Sequence, residues 1–160
     1  MAVDMFLKLE GLEGESRDAK HKNEFDILAW SWGMSNSGSA HVGGGAGAGK
    51  CNVQDLSVTK WTDKGTPDMQ LACCNGKHFD KATLTVRKAG ETPVEYLIIT
   101  MEEVMITSIS AGGSGGEDRL TENVTLNFAK VTVNYQEQDA KGAAKGGPKT
   151  MTWNIAENTK

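Results

Sequence analysis

Apolar and polar side chains alternate along most of this chain, and that period of two constrains the fold more than any other feature of the sequence. It is the pattern of β-strands that have one face on a core and one face outside. Near the start of the chain the apolar members are Val3, Met5, Leu7 and Leu9. Phe6 interrupts this alternation. A second segment of the same kind has Ala82, Leu84 and Val86 as its apolar members.

The segment 25–35 alternates in size as well as in polarity. Its large members are Leu28, Trp30, Trp32 and Met34, and the small residues between them are Ala29, Ser31, Gly33 and Ser35. We predict that the large side chains pack on a core. The small side chains should then form a smooth, weakly polar wall on the opposite face of the strand.

Three further segments have strand character. Residues 94–109 are apolar at both parities, as in a strand that is covered on both faces. In residues 124–135 the apolar positions change from even to odd near residues 128–130, which predicts a bulge or strong coil at a barrel corner. A last short strand is predicted around Met151, Trp153 and Ile155.

Only one segment has the signature of a helix. Thr66 suits the N-cap, Pro67 suits the first helical position, and Asn75 followed by glycine supplies a stop. The apolar residues between them, at i, i+3 and i+4, are Met69, Ala72 and Cys73. Many strands and one short helix predict a mainly β fold, closed or nearly closed, in a single domain over residues 1–160.

Charge and targeting signals exclude several classes of function. The formal net charge is −4, which argues against nucleic acid as a partner, because such affinity depends on a basic surface. Asp4 and Lys8 interrupt the apolar stretch at the start, so we predict no cleaved signal peptide. No apolar run reaches the ~20 residues of a membrane helix, and we therefore predict no membrane insertion.

Glycine is concentrated in three segments, at residues 38–49, 112–116 and 142–147. In the first of them, GGAGAGKC at 44–51 comes close to a phosphate-binding loop but ends in Cys51, where that motif requires a hydroxyl for magnesium. Residues 52–61 have strand character where the motif would open a helix. We interpret the segment as a flexible exposed loop, and a nucleotide-binding enzyme is the least favoured alternative.

No arrangement of residues predicts an active site, a metal site or a cofactor. The neighbouring carboxylates at 102–103 point to opposite faces of a strand and cannot act as a catalytic pair. Cys51, Cys73 and Cys74 form neither a disulfide framework nor a zinc motif. We therefore predict that the protein is not an enzyme and holds no cofactor or metal.

Glu117, Asp118 and Arg119 form a cluster of mixed charge directly after the glycines at 112–116. Such a cluster either keeps a flexible loop soluble or forms one half of a charge-complementary interface. The sequence leaves both interpretations open.

Several blocks of the chain together resemble Hcp, the family of tube proteins of bacterial type VI secretion systems. The blocks are AWSWGMS at 29–35, SGS at 37–39, His41, GGGAGAGK at 43–50, NVQDLS at 52–57, ATLTVRKAG at 82–90, EYLIIT at 95–100 and residues 112–128. The resemblance extends from Met1 to about Trp153. The three cysteines are not part of the family pattern, and residues 148–160 match it only loosely.

The resemblance implies a small β-barrel of two antiparallel sheets with one short flanking α-helix. It further implies a homo-hexameric ring, stacking of rings into a tube within a contractile sheath, effector toxins in the lumen, and a VgrG-like spike protein as partner. The protein would be made in the bacterial cytoplasm and then secreted without a cleaved signal peptide. The alternative is a tail-tube-like protein of a related contractile injection particle.

Three sets of site residues follow from the resemblance. The first glycine segment should contact the next ring, through Gly43, Gly44, Gly45, Gly47, Gly49 and Lys50. Glu117, Asp118 and Arg119 are candidates for contacts between subunits or between rings. Ser31, on the small-residue face, should face the lumen and touch cargo.

Overall fold

The computed structural model describes residues 2–39, 41, 47 and 49–160. Within these residues the chain forms a series of strands interrupted by one helix. In chain order they are β1 (Val3–Leu9), β2 (Phe25–Ser31), β3 (Met34–Ser35), β4 (Asn52–Val53), β5 (Leu56–Trp61), α1 (Thr66–Asn75), β6 (His78–Lys88), β7 (Val94–Gly112), β8 (Thr121–Tyr135) and β9 (Lys149–Asn154).

Antiparallel pairing in the order β5-β2-β1-β6-β7-β8 builds a barrel, and a further pairing of β5 with β8 closes it. β9 adds to the free side of β8 over residues 130–135. β3 and β4 pair with each other in a small separate sheet. The predicted fold, a small antiparallel β-barrel with one short flanking helix, is confirmed.

The core fills the barrel with the inward side chains of these strands. Its fully buried members include Leu7, Phe25, Leu56, Leu84, Met101, Val124 and Leu126. Met69 and Ala72 add the buried face of α1, which packs against β7. The helical spacing that predicted α1 therefore describes the face that it buries.

In three neighbouring strands, the buried residues switch between odd-numbered and even-numbered positions, and the three switches lie side by side in the sheet. The flanking buried residues are Phe79 and Ala82 in β6, Met101 and Val104 in β7, and Phe128 and Val131 in β8. Glu103 has a φ of 54°, which is a left-handed conformation in the middle of β7. The parity change seen at residues 128–130 thus extends across three strands, but β8 has no register shift there, and the left-handed residue at this level lies in β7.

Two large apolar residues of the 25–35 segment do not pack on the core as predicted. A register shift between Ile27 and Ala29 turns Leu28 outward, and its exposed fraction is 39%. Met34 lies in the small sheet beyond the barrel and is 46% exposed. Trp30 and Trp32 do pack against the core, so the prediction holds for the two tryptophans and was wrong for the other two.

The helix begins differently from the prediction, because Gly65 and not Thr66 is the N-cap. The Thr66 hydroxyl is used inside the barrel, where it donates a hydrogen bond to Oε1 of Glu122 at 2.7 Å. Thr66 Oγ1 also accepts a bond from the backbone N–H of Asp63 at 3.0 Å. The helix ends as predicted, at Gly76 in a left-handed conformation.

A buried ion pair lies at the seam where the barrel closes. Lys60 in β5 and Glu122 in β8 are cross-strand partners, and both are almost completely inaccessible to solvent. The Lys60 ammonium contacts the Glu122 carboxylate and also donates to the backbone oxygen of Trp61 at 2.9 Å. Asp63 lies 3.3 Å from the same ammonium, and burial raises its pKa although Lys60 opposes this effect.

We expect Lys60→Met to lower the free energy of unfolding by about 3–5 kcal/mol, because Glu122 would stay buried without its cation. The double variant Lys60→Met/Glu122→Leu should recover most of this loss, since it removes both charges. Denaturant unfolding at one fixed protein concentration measures both effects. A single variant as stable as the parent protein would contradict this description of the seam.

Candidate functional site: a wall of small polar side chains

Small side chains cover the outer face of four neighbouring strands, and we call this surface the polar wall. It consists of Ala29 and Ser31 in β2, Ser57 and Thr59 in β5, Asn123 and Thr125 in β8, and Ser108 and Ser110 in β7. None of these side chains is charged, and none is larger than asparagine. The closing pair β5–β8 is what joins them into one surface.

Cross-strand register arranges the polar wall in two rows. In the first row Ser31 is paired with Ser57, Ser57 with Thr125, and Thr125 with Ser108. The second row contains Ala29, Thr59, Asn123 and Ser110 in the same strand order. Because side chains alternate across a strand, the residues between the two rows, such as Val58 and Val124, point into the core.

Hydrogen bonds between side chains connect the first row to one edge of the wall. Oγ1 of Thr125 lies 2.6 Å from Oγ of Ser108 and 2.7 Å from Oγ1 of Thr107. At the edge, the Asp55 carboxylate accepts bonds from the Thr107 hydroxyl at 2.7 Å and from the Asn127 amide at 2.9 Å. The hydroxyls partly satisfy one another, and the wall presents a neutral, hydrated surface to whatever faces it.

A paired extension, which we call the arm, continues from the Ser31 end of the wall and consists of residues 33–39, 47 and 49–54 among those that the structure describes. At its base the Gln54 N–H donates to the Gly33 oxygen at 2.9 Å. Farther out, β3 pairs with β4, and the Gly49 N–H donates to the Ser37 oxygen at 3.0 Å. A Cβ at Gly49 would lie only 2.9 Å from that same oxygen, so this close approach requires glycine.

The described part of the predicted ring-contact loop lies in the arm. Gly47, Gly49 and Lys50 are in its returning side, where Lys50 is exposed. Gly43, Gly44 and Gly45 lie outside the described residues. The chain that follows the glycines forms strands β4 and β5, whereas a phosphate-binding loop would open a helix.

The charged cluster Glu117, Asp118 and Arg119 lies at the opposite end of the wall. It precedes Thr121, which pairs with Trp61 at the far end of the β5–β8 ladder from Ser57. The Arg119 guanidinium lies over the Trp61 ring, 4.3 Å from its centroid, and this cation–π contact holds an exposed side chain in place. The three charged residues, with Trp61 and Thr121, line a shallow cleft.

Other kinds of site find no support among the residues that the structure describes. There, no group of three His, Cys, Asp or Glu side chains is arranged to hold a metal ion. Cys51, Cys73 and Cys74 are free thiols at partly or fully exposed positions. In the same part of the chain, no helix is long and apolar enough to cross a membrane.

The sequence pattern singled out Ser31 but not the residues that the structure places beside it. Ser57 and Thr59 alternate with buried Leu56 and Val58, and β8 repeats this pattern of small polar and buried apolar residues. That signal could have been read from the sequence. The side-by-side placement of the strands could not, because β2 and β8 are far apart in the chain and each pairs with β5.

Known proteins of similar sequence and fold identify the class. The family described as "Type VI secretion system effector, Hcp" matches residues 6–135. "Protein hcp1" of Pseudomonas aeruginosa is 63% identical over 159 residues, which cover 99% of this chain and 98% of that protein. Fold and sequence therefore define a protein of type VI secretion.

Solved structures give the same result. One described as a type six secretion system protein has a TM-score of 0.93 at 30% identity, covering 99% of each chain. Hcp1 from Salmonella typhimurium has a TM-score of 0.82 at 35% identity, again over 99% of each chain. The chain belongs to the Hcp family, and the resemblance found in its sequence is confirmed.

We expect substitutions in the polar wall to leave the fold intact. Ser31→Gln and Thr125→Val should each change the free energy of unfolding by less than about 1 kcal/mol, because water can replace the lost contacts at these accessible positions. Denaturant unfolding beside Lys60→Met provides the comparison. A loss as large as that of the buried pair would show that the wall network stabilises the barrel.

Proposed function

We propose that this single-domain chain is a non-enzymatic structural subunit of the type VI secretion tube. Six copies form a ring, rings stack into a tube, and effector toxins travel in the lumen. Membership of the Hcp family supports the general role. The observation that carries the finer proposal is a neutral polar wall that lies between two unlike ends, the arm and the charged cluster.

The polar wall suits the lining of a lumen. A lining must tolerate different passengers and must release them, and small uncharged side chains offer weak hydrogen bonds without ion pairs or large apolar contacts. Ser31 lies in the row nearest the arm, beside Ser57. Cargo at the wall would therefore touch the hydroxyls of β2 and β5 together.

The unlike ends of the wall suit stacking in one direction. Head-to-tail contact between different surfaces can repeat without limit, whereas contact between identical surfaces closes as a dimer. Lys50 carries positive charge on the arm, while Glu117 and Asp118 carry negative charge at the other end. These signs are complementary when one ring meets the next, and such complementarity fixes register.

The remaining partners follow from the family resemblance. The tube would lie inside a contractile sheath, carry a VgrG-like spike protein at its tip, and leave the bacterial cytoplasm without a cleaved signal peptide. Neither nucleic acid nor a membrane is required for this role. No chemistry is assigned to any side chain.

Deletion of residues 43–48 should abolish stacked tubes and spare rings, because it removes most of the glycines of the predicted ring-contact loop and leaves the barrel strands intact. Native mass spectrometry should still show six subunits, while electron micrographs should show rings in place of the parent protein's tubes. Tubes of normal length in the deletion variant would contradict the stacking role. Loss of the six-fold mass would instead assign the arm to contacts within a ring.

Ser31→Gln should change the intracellular level of effectors that travel in the lumen, because a longer side chain narrows the space beside Ser57. Ser114→Gln is the control, since Ser114 is also exposed but lies in the loop beyond the wall. Effector levels are measured by immunoblot in strains that carry each variant. If no effector responds to Ser31→Gln, the assignment of this wall to the lumen fails.

A further inference from the structure

A second, smaller buried cluster lies on the outer face of the barrel, under the segment 10–24 that joins β1 to β2. Phe6, which interrupts the alternation of β1, points to this side and is only 4% exposed. Its ring stacks on the imidazole of His21, with 4.4 Å between centroids and 10° between planes. The segment therefore acts as a cover, and His21 is one of its contacts with the sheet.

Both ring nitrogens of His21 face carboxylates. Nδ1 lies 3.0 Å from each oxygen of Glu24, and Nε2 lies 2.7 Å from Oε1 of Glu95 at the start of β7. A carboxylate can only accept hydrogen bonds, and a neutral imidazole carries only one N–H. Both contacts can be hydrogen bonds at the same time only when His21 is an imidazolium.

We propose that protonated His21 is a pH-sensitive latch that fastens the cover, residues 10–24, to β7 through Glu95. When the imidazolium loses its proton, one of the two carboxylates loses its hydrogen bond and two acidic groups remain beside a neutral ring. The cover then opens locally around residues 19–24 and exposes the ring of Phe6. The latch is a property of each subunit and does not depend on cargo or stacking.

A second attachment holds the cover at Asp18, and it persists at all pH values near neutrality. The Arg87 guanidinium in β6 donates to Asp18 at 2.6 and 3.1 Å and to Asp4 in β1 at 3.1 Å. This contact lowers the pKa of Asp18 below its ordinary range and raises that of Arg87. Because arginine keeps its charge, this attachment persists while histidine titrates.

The charges around His21 come from every element that packs on it. Asp18 and Glu24 belong to the cover, Asp4 to β1, Arg87 to β6 and Glu95 to β7. The ion pairs of this cluster contain four carboxylates and one guanidinium, and the exposed Lys20 and Lys22 flank His21 in the cover.

The direction of the pH effect follows from the proton that the closed cover holds. Opening releases that proton, so the closed form is favoured at lower pH and is lost as the pH rises through the range in which histidine titrates. The Asp18 attachment behaves in the opposite way. Its carboxylate has a lowered pKa, so its contribution is complete above about pH 4 and is lost as the pH falls below that value.

Hydrogen exchange of the assembled wild-type protein tests the latch. Between about pH 6 and about pH 8.5, protection of the amides of residues 19–24, corrected for intrinsic exchange, should fall about tenfold, while core strands stay unchanged. His21→Gln should reduce this dependence to less than about twofold, because glutamine does not titrate in this range. His78→Gln is the control, since His78 is an exposed histidine on β6 and should leave the wild-type dependence intact.

Two results would overturn the proposal. One is equal pH dependence in the wild type and in His21→Gln, and the other is a ¹⁵N spectrum at about pH 6 that shows a neutral His21 ring. If His21→Gln does not fold, Glu95→Gln is tested in its place. The side-chain amide that it introduces can donate a hydrogen bond to Nε2 of a neutral His21, so this variant should also show a smaller pH dependence. An unchanged pH dependence in Glu95→Gln would then reject the latch.

Discussion

The pairing of β5 with β8 is the contact on which the rest of the structure depends, because it converts a curved sheet into a closed barrel. It places Lys60 opposite Glu122 inside the seam, where the carboxylate also holds the hydroxyl that begins α1. On the outside, the same pairing joins four strands into the polar wall. The core, the position of the helix and the polar wall are therefore consequences of one strand pair.

Charged side chains are placed differently in the interior, on the polar wall and at the two ends of the wall. Lys60 and Arg87 are buried, and each is matched by carboxylates, since a buried cation without partners would be strongly unfavourable. The polar wall is uncharged, whereas its two ends carry exposed charges, Lys50 on the arm and the mixed cluster Glu117, Asp118 and Arg119 at the far end. A neutral wall between charged ends fits the proposed subunit, which would bind copies of itself firmly and passengers weakly.

Local patterns predicted most of the secondary structure and part of the site. Alternation located the strands, and the parity change near residue 128 is shared by three neighbouring strands. Errors arose where tertiary contacts override a local pattern. Leu28 turns outward at a register shift. The Thr66 hydroxyl donates a hydrogen bond to Glu122, and Gly65 is the N-cap of the helix. Phe6 broke the alternation because a second cluster buries it, and no pattern within β1 could reveal His21 as its partner.

By itself, the sequence determined which segments are strands, which face of each is apolar, and that the chain resembles the Hcp family. Those properties depend on neighbours within a few residues, where side-chain period and backbone preference act directly. Only the tertiary structure decided that Ser31 stands beside Ser57, that the arm and the charged cluster lie at opposite ends, and that His21 bridges Glu24 and Glu95. These contacts join distant parts of the chain, and they exist only after barrel closure brings those parts together.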